Sequence, residues 1–93
     1  MTSKNSIGFV YNPLLPDAIQ LAKTLMDSAK RYYTCWISPV EPLKTKSGHI
    51  ESTSIIVTIG GDGTILRAAR IASPNNIAIL GINMGRIGFM TEL

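Results

Sequence analysis

The sequence predicts an α/β fold, a Rossmann-like open parallel sheet with the element order β-α-β-loop-β-α-β. Short apolar runs rich in strand-forming residues alternate with stretches of helical periodicity, which favours parallel strands joined by right-handed crossovers. A glycine-rich segment also joins the third strand to the second helix. The chain has 93 residues, the size of one small domain, so residues 1–93 are expected to form a single lobe.

The first half of the chain predicts a strand, a helix and a second strand. Ile7–Tyr11 is a short apolar run that ends at the turn signal Asn12-Pro13. An amphipathic helix follows, with Asp17 in its first turn, where a negative charge suits the helix dipole. The apolar stripe of this helix consists of Ala18, Leu21, Ala22, Leu25, Ala29 and Tyr32. The aromatic run Tyr33–Ile37 is typical of a strand.

The second half predicts a loop, a strand, a helix and a last strand. Ser38–Ser52 contains prolines and charges without periodicity, which indicates a loop with no more than a short helical turn. His49 in this loop is interpreted as a solvated residue. Ser54–Ile59 is a continuous β-branched run, typical of a strand buried on both faces. A helical pattern covers residues 65–72 and ends at a Ser-Pro-Asn-Asn stop, and Ile77–Ile82 predicts another buried strand.

Charge and composition exclude several classes of protein. The net charge of +3 is spread along the chain, so nothing predicts a nucleic-acid partner, although the balance suits a small anionic ligand. The longest apolar run, Ile77–Ile82, is far shorter than the roughly 20 residues of a membrane span. The N-terminus has no apolar core of a secretion signal, and Cys35 has no partner for a disulfide. We therefore expect a cytoplasmic protein with a reduced Cys35 that is either a core residue or half-buried.

The segment Gly60-Gly61-Asp62-Gly63-Thr64 lies between the third strand and the second helix. In open parallel sheets, ligands bind beyond the carboxyl ends of the strands. Glycines let backbone N–H groups approach a ligand, and the N-terminus of the helix favours an anion. The segment therefore predicts a phosphate-binding loop, in which Thr64 either caps the helix or donates its hydroxyl to a phosphate oxygen. A tight turn without a ligand remains an alternative.

The loop differs from two common phosphate-binding motifs. No Gly-Lys-Ser/Thr follows it, and Leu66 stands where the third glycine of G-x-G-x-x-G belongs. Asp62 is unusual because a carboxylate repels phosphate. Its presence makes sense if it takes a proton from an attacking hydroxyl or holds a divalent metal that bridges to phosphate. A simple helix cap is the alternative interpretation of Asp62.

Two motifs resemble those of a known family. Gly60–Thr64, followed by ILRAAR, resembles the Gly-Gly-Asp-Gly-Thr motif of NAD kinases, although diacylglycerol and sphingosine kinases share the pentapeptide. Gly81–Leu93, with the sequence GINMGRIGFMTEL, resembles the G-x-N-x-G-x-L-G-F-L segment of NAD kinases. Lipid kinases usually carry a Pro-Leu-Gly-Thr-Gly-Asn-type stretch at that place. The opening strand that ends at Tyr11-Asn12-Pro13 is also similar to the first strand of the family.

The resemblance implies transfer of a phosphoryl group from ATP, or from polyphosphate, to the 2′-hydroxyl of the NAD adenosine ribose, with a divalent metal such as Mg²⁺. It makes Asp62 the proton acceptor, assigns NAD contacts to Asp62, Gly63 and Arg67, and gives Phe89 as an aromatic near the nucleotide. The backbone of Gly60–Thr64 would approach the phosphates. It assigns no metal ligand to this chain. A solvated Arg67 and a core Phe89 remain the alternatives.

The family continues beyond these motifs into a larger, β-rich domain that carries an Asn-Glu or Asn-Asp motif. Neither pair occurs here, so we expect the N-terminal lobe of a two-domain kinase, without that second domain and with weak or no turnover by itself. Members commonly assemble as dimers or tetramers, and a homo-oligomer is expected. A lipid-kinase lobe, a non-enzymatic nucleotide- or phosphate-binding module and a bare interaction domain are the alternatives. Asn83, after the last strand, is expected to tie the glycine loop by side-chain hydrogen bonds.

Overall fold

A computed structural model of the chain describes residues 5–43 and 47–84. The elements in chain order are β1 (Ser6–Tyr11), α1 (Pro16–Ala29), β2 (Thr34–Pro39), α2 (Ser47–Glu51), β3 (Thr53–Gly60), α3 (Asp62–Ala72), a 3-10 turn (Ser73–Asn75) and β4 (Ala78–Asn83). The four strands form one sheet in the order β2-β1-β3-β4, and every pair is parallel. The predicted α/β class is confirmed. None of the helices in the described ranges combines the length and the apolar character needed to cross a bilayer.

Helices cover both faces of the sheet. The chain runs from β1 outward to β2 and then returns to β3 and β4, so right-handed crossovers put α1 on one face and α2 with α3 on the other. The buried cluster on the α1 face contains Phe9, Ala18, Ala22, Val57 and Ile59. The buried cluster on the α3 face contains Val10, Trp36, Val40, Ile56, Ala68, Ala72 and Ile77. Because β3 contributes to both clusters, its continuous β-branched run is explained.

The predicted stripe of α1 is confirmed except at its end. Ala18 and Ala22 are fully buried, whereas Tyr32 is 79% exposed. The helix ends at Ala29, because the N–H groups of Tyr32 and Tyr33 both donate to the Ala29 carbonyl at 3.0 Å and close a turn. Tyr32 therefore lies beyond the helix and is not part of its buried stripe, although its spacing matches that stripe.

The second strand and the following loop have different bounds from those predicted. β2 continues to Pro39, which pairs with Tyr11 of β1. Proline is tolerated there because β2 is an end strand of the described sheet, and proline is confined to such edges. The predicted loop contains the short helix α2, whose Ile50 packs against the cluster on the α3 face. His49 of α2 is exposed, as expected.

The last strand is only partly buried, contrary to the prediction for Ile77–Ile82. Ile77 is buried before the strand begins, but Leu80 is 53% exposed. Within the described residues β4 is the other end strand, and α1 packs over β1, β2 and β3 instead. Leu80 is exposed at this end strand within the described part of the chain, whereas Ile82 of the same strand packs against the cluster on the α1 face.

Cys35 is half-buried in β2, in agreement with the prediction. Burial raises the pKa of the Cys35 thiol above its ordinary value, while the ammonium group of Lys30 opposes the shift. A thiol with a raised pKa is protonated at neutral pH and is a weak nucleophile. Cys35 therefore does not enter the site described below.

The buried hydroxyl of Thr58 gives a test of the core. Thr58 is 0% exposed, and its hydroxyl has no hydrogen-bond partner among the described residues. Because an unpaired buried polar group costs about 1–3 kcal/mol, Thr58→Val is expected to raise the free energy of unfolding by about 1 kcal/mol in urea denaturation. Thr53 of β3 is a matched control, since its hydroxyl accepts a bond from Trp36 Nε1 at 2.8 Å and donates to the His49 carbonyl.

Thr53→Val is expected to lower the free energy of unfolding, because it leaves those two buried partners unpaired. Changes of the same sign in the two variants would contradict the assignment of Thr58 as an unpaired group.

Candidate functional site

Polar residues gather at the carboxyl ends of the strands. Asn12 follows β1, Glu41 lies shortly after β2, Asp62 lies two residues after the end of β3, and Asn83 is the last residue of β4. The connection after β1 leads to β2 on one side, whereas the connection after β3 leads to β4 on the other. The gap between β1 and β3 is thus a topological switch point, where open α/β sheets bind ligands. The predicted glycine loop lies at this point.

The structure requires glycine at only one of the three glycine positions in the loop. A β-carbon at Gly60 would overlap the Thr64 hydroxyl and come within 3.0 Å of Asn12 Cβ, so packing excludes one. A β-carbon at Gly61 or Gly63 would meet nothing within 4 Å in the described chain. Gly61 also has extended backbone angles (φ −109°, ψ −168°) that any residue adopts. Packing therefore explains Gly60, and a tight turn explains neither Gly61 nor Gly63.

The first turn of α3 begins at a place that the described part of the chain leaves open. Gly61 is the N-cap residue, and its carbonyl accepts hydrogen bonds from the N–H groups of Thr64 at 3.1 Å and Ile65 at 3.3 Å. The first N–H groups of a helix have no intrahelical acceptor, and here they belong to Asp62 and Gly63. These donors, the positive end of the helix dipole and the lack of β-carbons beside them suit an approaching anion.

Thr64 does not cap α3, because Gly61 occupies the cap position and no side-chain cap bond is present there. Thr64 is 4% exposed and packs beneath Gly60. Its side chain therefore supports the loop from the core side. Donation of the Thr64 hydroxyl to a phosphate oxygen stays a prediction.

Asp62 is the first residue of α3 and is exposed. It is not the N-cap, so the interpretation of Asp62 as a simple cap is wrong, although its charge suits the first turn. Its Oδ1 accepts a hydrogen bond from Asn83 Nδ2 at 2.7 Å. This confirms the predicted bond between Asn83 and the glycine loop. Because Gly60 and Asn83 are paired in the β3–β4 register, the bond fixes the Asp62 carboxylate at the carboxyl edge of the sheet.

Arg67 lies one turn further along α3 and pairs with Glu41. Arg67 Nε is 3.3 Å from Glu41 Oε1, and the two side chains are 57% and 68% exposed. An exposed pair of this kind contributes only about 0–1 kcal/mol to stability. A cleft of about 350 Å³ is lined by Asn12, Pro13, Leu14, Val40, Glu41 and Arg67. The guanidinium has five N–H donors, so the bond through Nε leaves others for a ligand in this cleft.

Sequence reasoning missed Glu41 and gave Asn12 only as a turn signal. The Asn12 side chain accepts a bond from the Leu14 N–H at 2.9 Å, the short-range pattern typical of an asparagine turn. Glu41 lies in an aperiodic stretch, and no local signal links it to Arg67. Phe89 lies outside the described residues, so its proximity to a nucleotide stays a prediction.

The chain is similar to proteins of one family. Residues 26–93 match the sequence model of a family described as the ATP-NAD kinase N-terminal domain. An NAD kinase of Dehalococcoides mccartyi strain CBDB1 is 41% identical over 90 residues, which cover 94% of this chain and 31% of that protein. An NAD kinase of Heliobacterium modesticaldum is 34% identical over 104 residues, covering 95% of this chain and 34% of that protein. The chain thus spans about a third of the length of these curated relatives. No solved structure gives a significant match.

Proposed function

The chain belongs to the ATP-NAD kinase family through its N-terminal domain, and on this premise we propose that the protein phosphorylates NAD. The phosphoryl group passes from ATP, or from polyphosphate, to the 2′-hydroxyl of the adenosine ribose and gives NADP. The observation that carries the proposal is the start of α3. There, Gly61 and Gly63 leave space that none of the described residues fills, beside an exposed carboxylate held by Asn83. Relatives that cover nearly the whole chain are named NAD kinase.

The chemistry needs a proton acceptor and a site for the donor phosphates. Asp62 accepts the proton of the ribose hydroxyl while that oxygen forms a bond to the γ-phosphorus of ATP. The bond from the γ-phosphorus to the bridging oxygen breaks, and ADP leaves with the electron pair. The N–H groups of Asp62 and Gly63 bind phosphate oxygens at the helix N-terminus. The protein contributes mainly positioning and stabilisation of charge, as in other phosphoryl transfers.

A divalent metal fits this scheme if substrate supplies most of its ligands. Within residues 5–43 and 47–84, no three His, Cys, Asp or Glu side chains form a group that could hold a metal ion. Mg²⁺ is commonly bound by one or two carboxylates together with substrate phosphates and water. When bound, Mg²⁺ would neutralise charge on the donor phosphates. Because Asp62 serves as the proton acceptor, the donor phosphates and water would supply the metal ligands at this part of the site.

Arg67 is proposed to bind NAD from the cleft. Hydrogen bonds to charged groups contribute about 1.5–3 kcal/mol, so Arg67→Ala is expected to raise KM for NAD about tenfold and to change kcat less. Arg70 lies three residues further along α3, is also exposed, and is the matched control. Arg70→Ala is expected to leave both constants unchanged in steady-state kinetics. Equal effects of the two substitutions would show that Arg67 acts only through the overall charge of the helix.

The proposed reaction is tested with the full-length protein that carries this sequence. Incubation with ATP, Mg²⁺ and NAD is expected to give NADP, detected by an NADP-specific dehydrogenase, whereas 2′-deoxy-NAD is expected to give no phosphorylated product. Replacing ATP with polyphosphate identifies the donor. Phosphorylation of diacylglycerol instead of NAD would favour the lipid-kinase alternative. Nucleotide binding with no transfer to either acceptor would favour the binding-module alternative.

We propose that the nucleotide pocket is completed by a β-rich domain of the kind that follows in the family. Residues 1–93 alone are then expected to show weak or no turnover, because half of the pocket walls would be missing. The functional form is proposed to be a homo-oligomer in the cytoplasm, with no nucleic-acid or membrane partner. Turnover by residues 1–93 at the rate of the full-length protein would contradict the need for a second domain.

A further inference from the structure

Asn83 joins the end of β4 to the exposed carboxylate of the glycine loop. It is 6% exposed and pairs with Gly60 in the sheet register. Its Nδ2 donates to Asp62 Oδ1 at 2.7 Å, whereas Asp62 itself is exposed. A carboxylate has no proton to donate, so the amide nitrogen rather than the amide oxygen must face Asp62. A buried, fixed donor thus holds one oxygen of a solvent-facing acid.

This partner differs from the partners of other carboxylates in the molecule. Within the described ranges, Asp27 pairs with Lys30 and Glu41 pairs with Arg67, and all four side chains are more than half exposed. A cation would place an opposite charge directly beside the carboxylate. A neutral amide orients the carboxylate and leaves its negative charge in place. The partner of Asp62 therefore suits an acid that must act as a base.

The two carboxylate oxygens of Asp62 have different surroundings. Oδ1 is bonded to Asn83, and the structure records no partner for Oδ2 among the described residues. Asn83 has already lost most of its rotamer freedom through burial, so it can fix Asp62 with little further loss of entropy. Rates depend strongly on such fixing, because misplacement of a reacting group by about 1 Å can lower a rate ~10²-fold.

We propose that Asn83 is a positioning residue for the phosphoryl transfer: its amide holds Oδ1 of Asp62 so that Oδ2 faces the hydroxyl that is phosphorylated. The inference rests on the proposed function, in which Asp62 is the proton acceptor. Asn83 does not touch the substrate in this scheme and acts only through Asp62. Removal of the Asn83 amide should therefore cause no further loss of kcat once Asp62 can no longer accept a proton.

A double-mutant cycle in the full-length protein tests this dependence. Asn83→Leu keeps the approximate shape of the side chain but removes the donor, and is expected to lower kcat about tenfold with KM for NAD changed less than about twofold. In the Asp62→Asn background, the same substitution is expected to cause no further loss. Asn83→Ser, whose hydroxyl is too short to reach Asp62, replaces the leucine variant if that variant does not fold.

Asn75 provides the matched control. Its Nδ2 also donates a side-chain hydrogen bond, to the Ile71 carbonyl at 2.8 Å, near the opposite end of α3. Asn75→Leu is expected to leave kcat unchanged even if it lowers the melting temperature. A loss of kcat in Asn75→Leu equal to that in Asn83→Leu would overturn the proposal, because it would reveal a general effect on stability.

The kinetic cycle and an NMR measurement together separate failure of this inference from failure of the proposed function. NMR of the side-chain amide of Asn83, with Asp62→Ala as reference, reports the hydrogen bond without any turnover. If Asn83→Leu lowers kcat equally in the wild-type and Asp62→Asn backgrounds, the positioning role is overturned while NAD phosphorylation stands. An Asp62→Asn variant with wild-type kcat would overturn both the positioning role and the assigned base. No change in the Asn83 amide signals on Asp62→Ala would overturn the positioning role alone.

Discussion

Replacing Asp62 with asparagine is expected to lower kcat at least ~10²-fold, because general base catalysis typically contributes 10²–10⁴-fold and an amide cannot accept the proton. The affinity for NAD should change only modestly, since the substitution preserves the size of the side chain. The fold should persist, because Asp62 is exposed and makes no cap bond. Its amide oxygen can still accept the bond from Asn83 Nδ2. Steady-state kinetics and calorimetric titration of NAD measure the two quantities.

Asp17 is the matched control for this substitution. It is an exposed acid in the first turn of α1, as Asp62 is in the first turn of α3. Both substitutions remove a favourable interaction of about 0.3–1 kcal/mol with a helix dipole. Asp17→Asn is therefore expected to reproduce the small loss of stability without the loss of kcat. Unchanged turnover in Asp62→Asn would remove Asp62 from the chemistry.

Replacing Gly61 with valine is expected to weaken ATP binding at least tenfold, roughly the loss that accompanies removal of one or two phosphate hydrogen bonds. The valine side chain would enter the open space beside the first turn of α3, where the phosphates are proposed to lie. The extended backbone at Gly61 suits a β-branched residue, so the substitution should not strain the chain. A poorer N-cap is expected to cost about 1 kcal/mol of stability.

Gly60→Ala is the comparison for Gly61→Val, because Gly60 is needed for packing inside the protein, whereas Gly61 is proposed to leave room for phosphate. A β-carbon at Gly60 would overlap the Thr64 hydroxyl, so this variant is expected to lose about 1–3 kcal/mol of unfolding free energy through overpacking. Gly61→Val is expected to lose ATP affinity with a loss of stability of only about 1 kcal/mol, the cost of the poorer N-cap. Calorimetric titration with a non-hydrolysable ATP analogue and urea denaturation give both numbers. Retained ATP binding by folded Gly61→Val would refute the phosphate-binding role of the loop.

Local chemistry in the sequence was sufficient to predict the fold class. The β-branched run in β3, the apolar stripe from Ala18 to Ala29 and the proline and glycine punctuation each act over a few residues. Their alternation implies parallel strands, because each crossover helix needs a sheet to cover. The position of the glycine loop after a buried strand also placed the candidate site at the carboxyl edge, since ligands bind there in open sheets.

Tertiary structure decided which distant residues meet at that edge. The strand order β2-β1-β3-β4 brings Glu41 to Arg67, and periodicity carries no information on strand order. The bond from Asn83 to the glycine loop is expected from the sequence, but only the structure shows that Asp62 Oδ1 accepts it. Packing alone distinguished Gly60 from Gly61. A β-carbon at Gly60 would overlap Thr64, whereas one at Gly61 would meet none of the described residues within 4 Å. The sequence by itself determined the elements and the chemical character of the loop, because those depend on neighbouring residues. The hydrogen bond that orients Asp62 and the ion pair that orients Arg67 join residues far apart in the sequence, so they form only after the sheet has assembled.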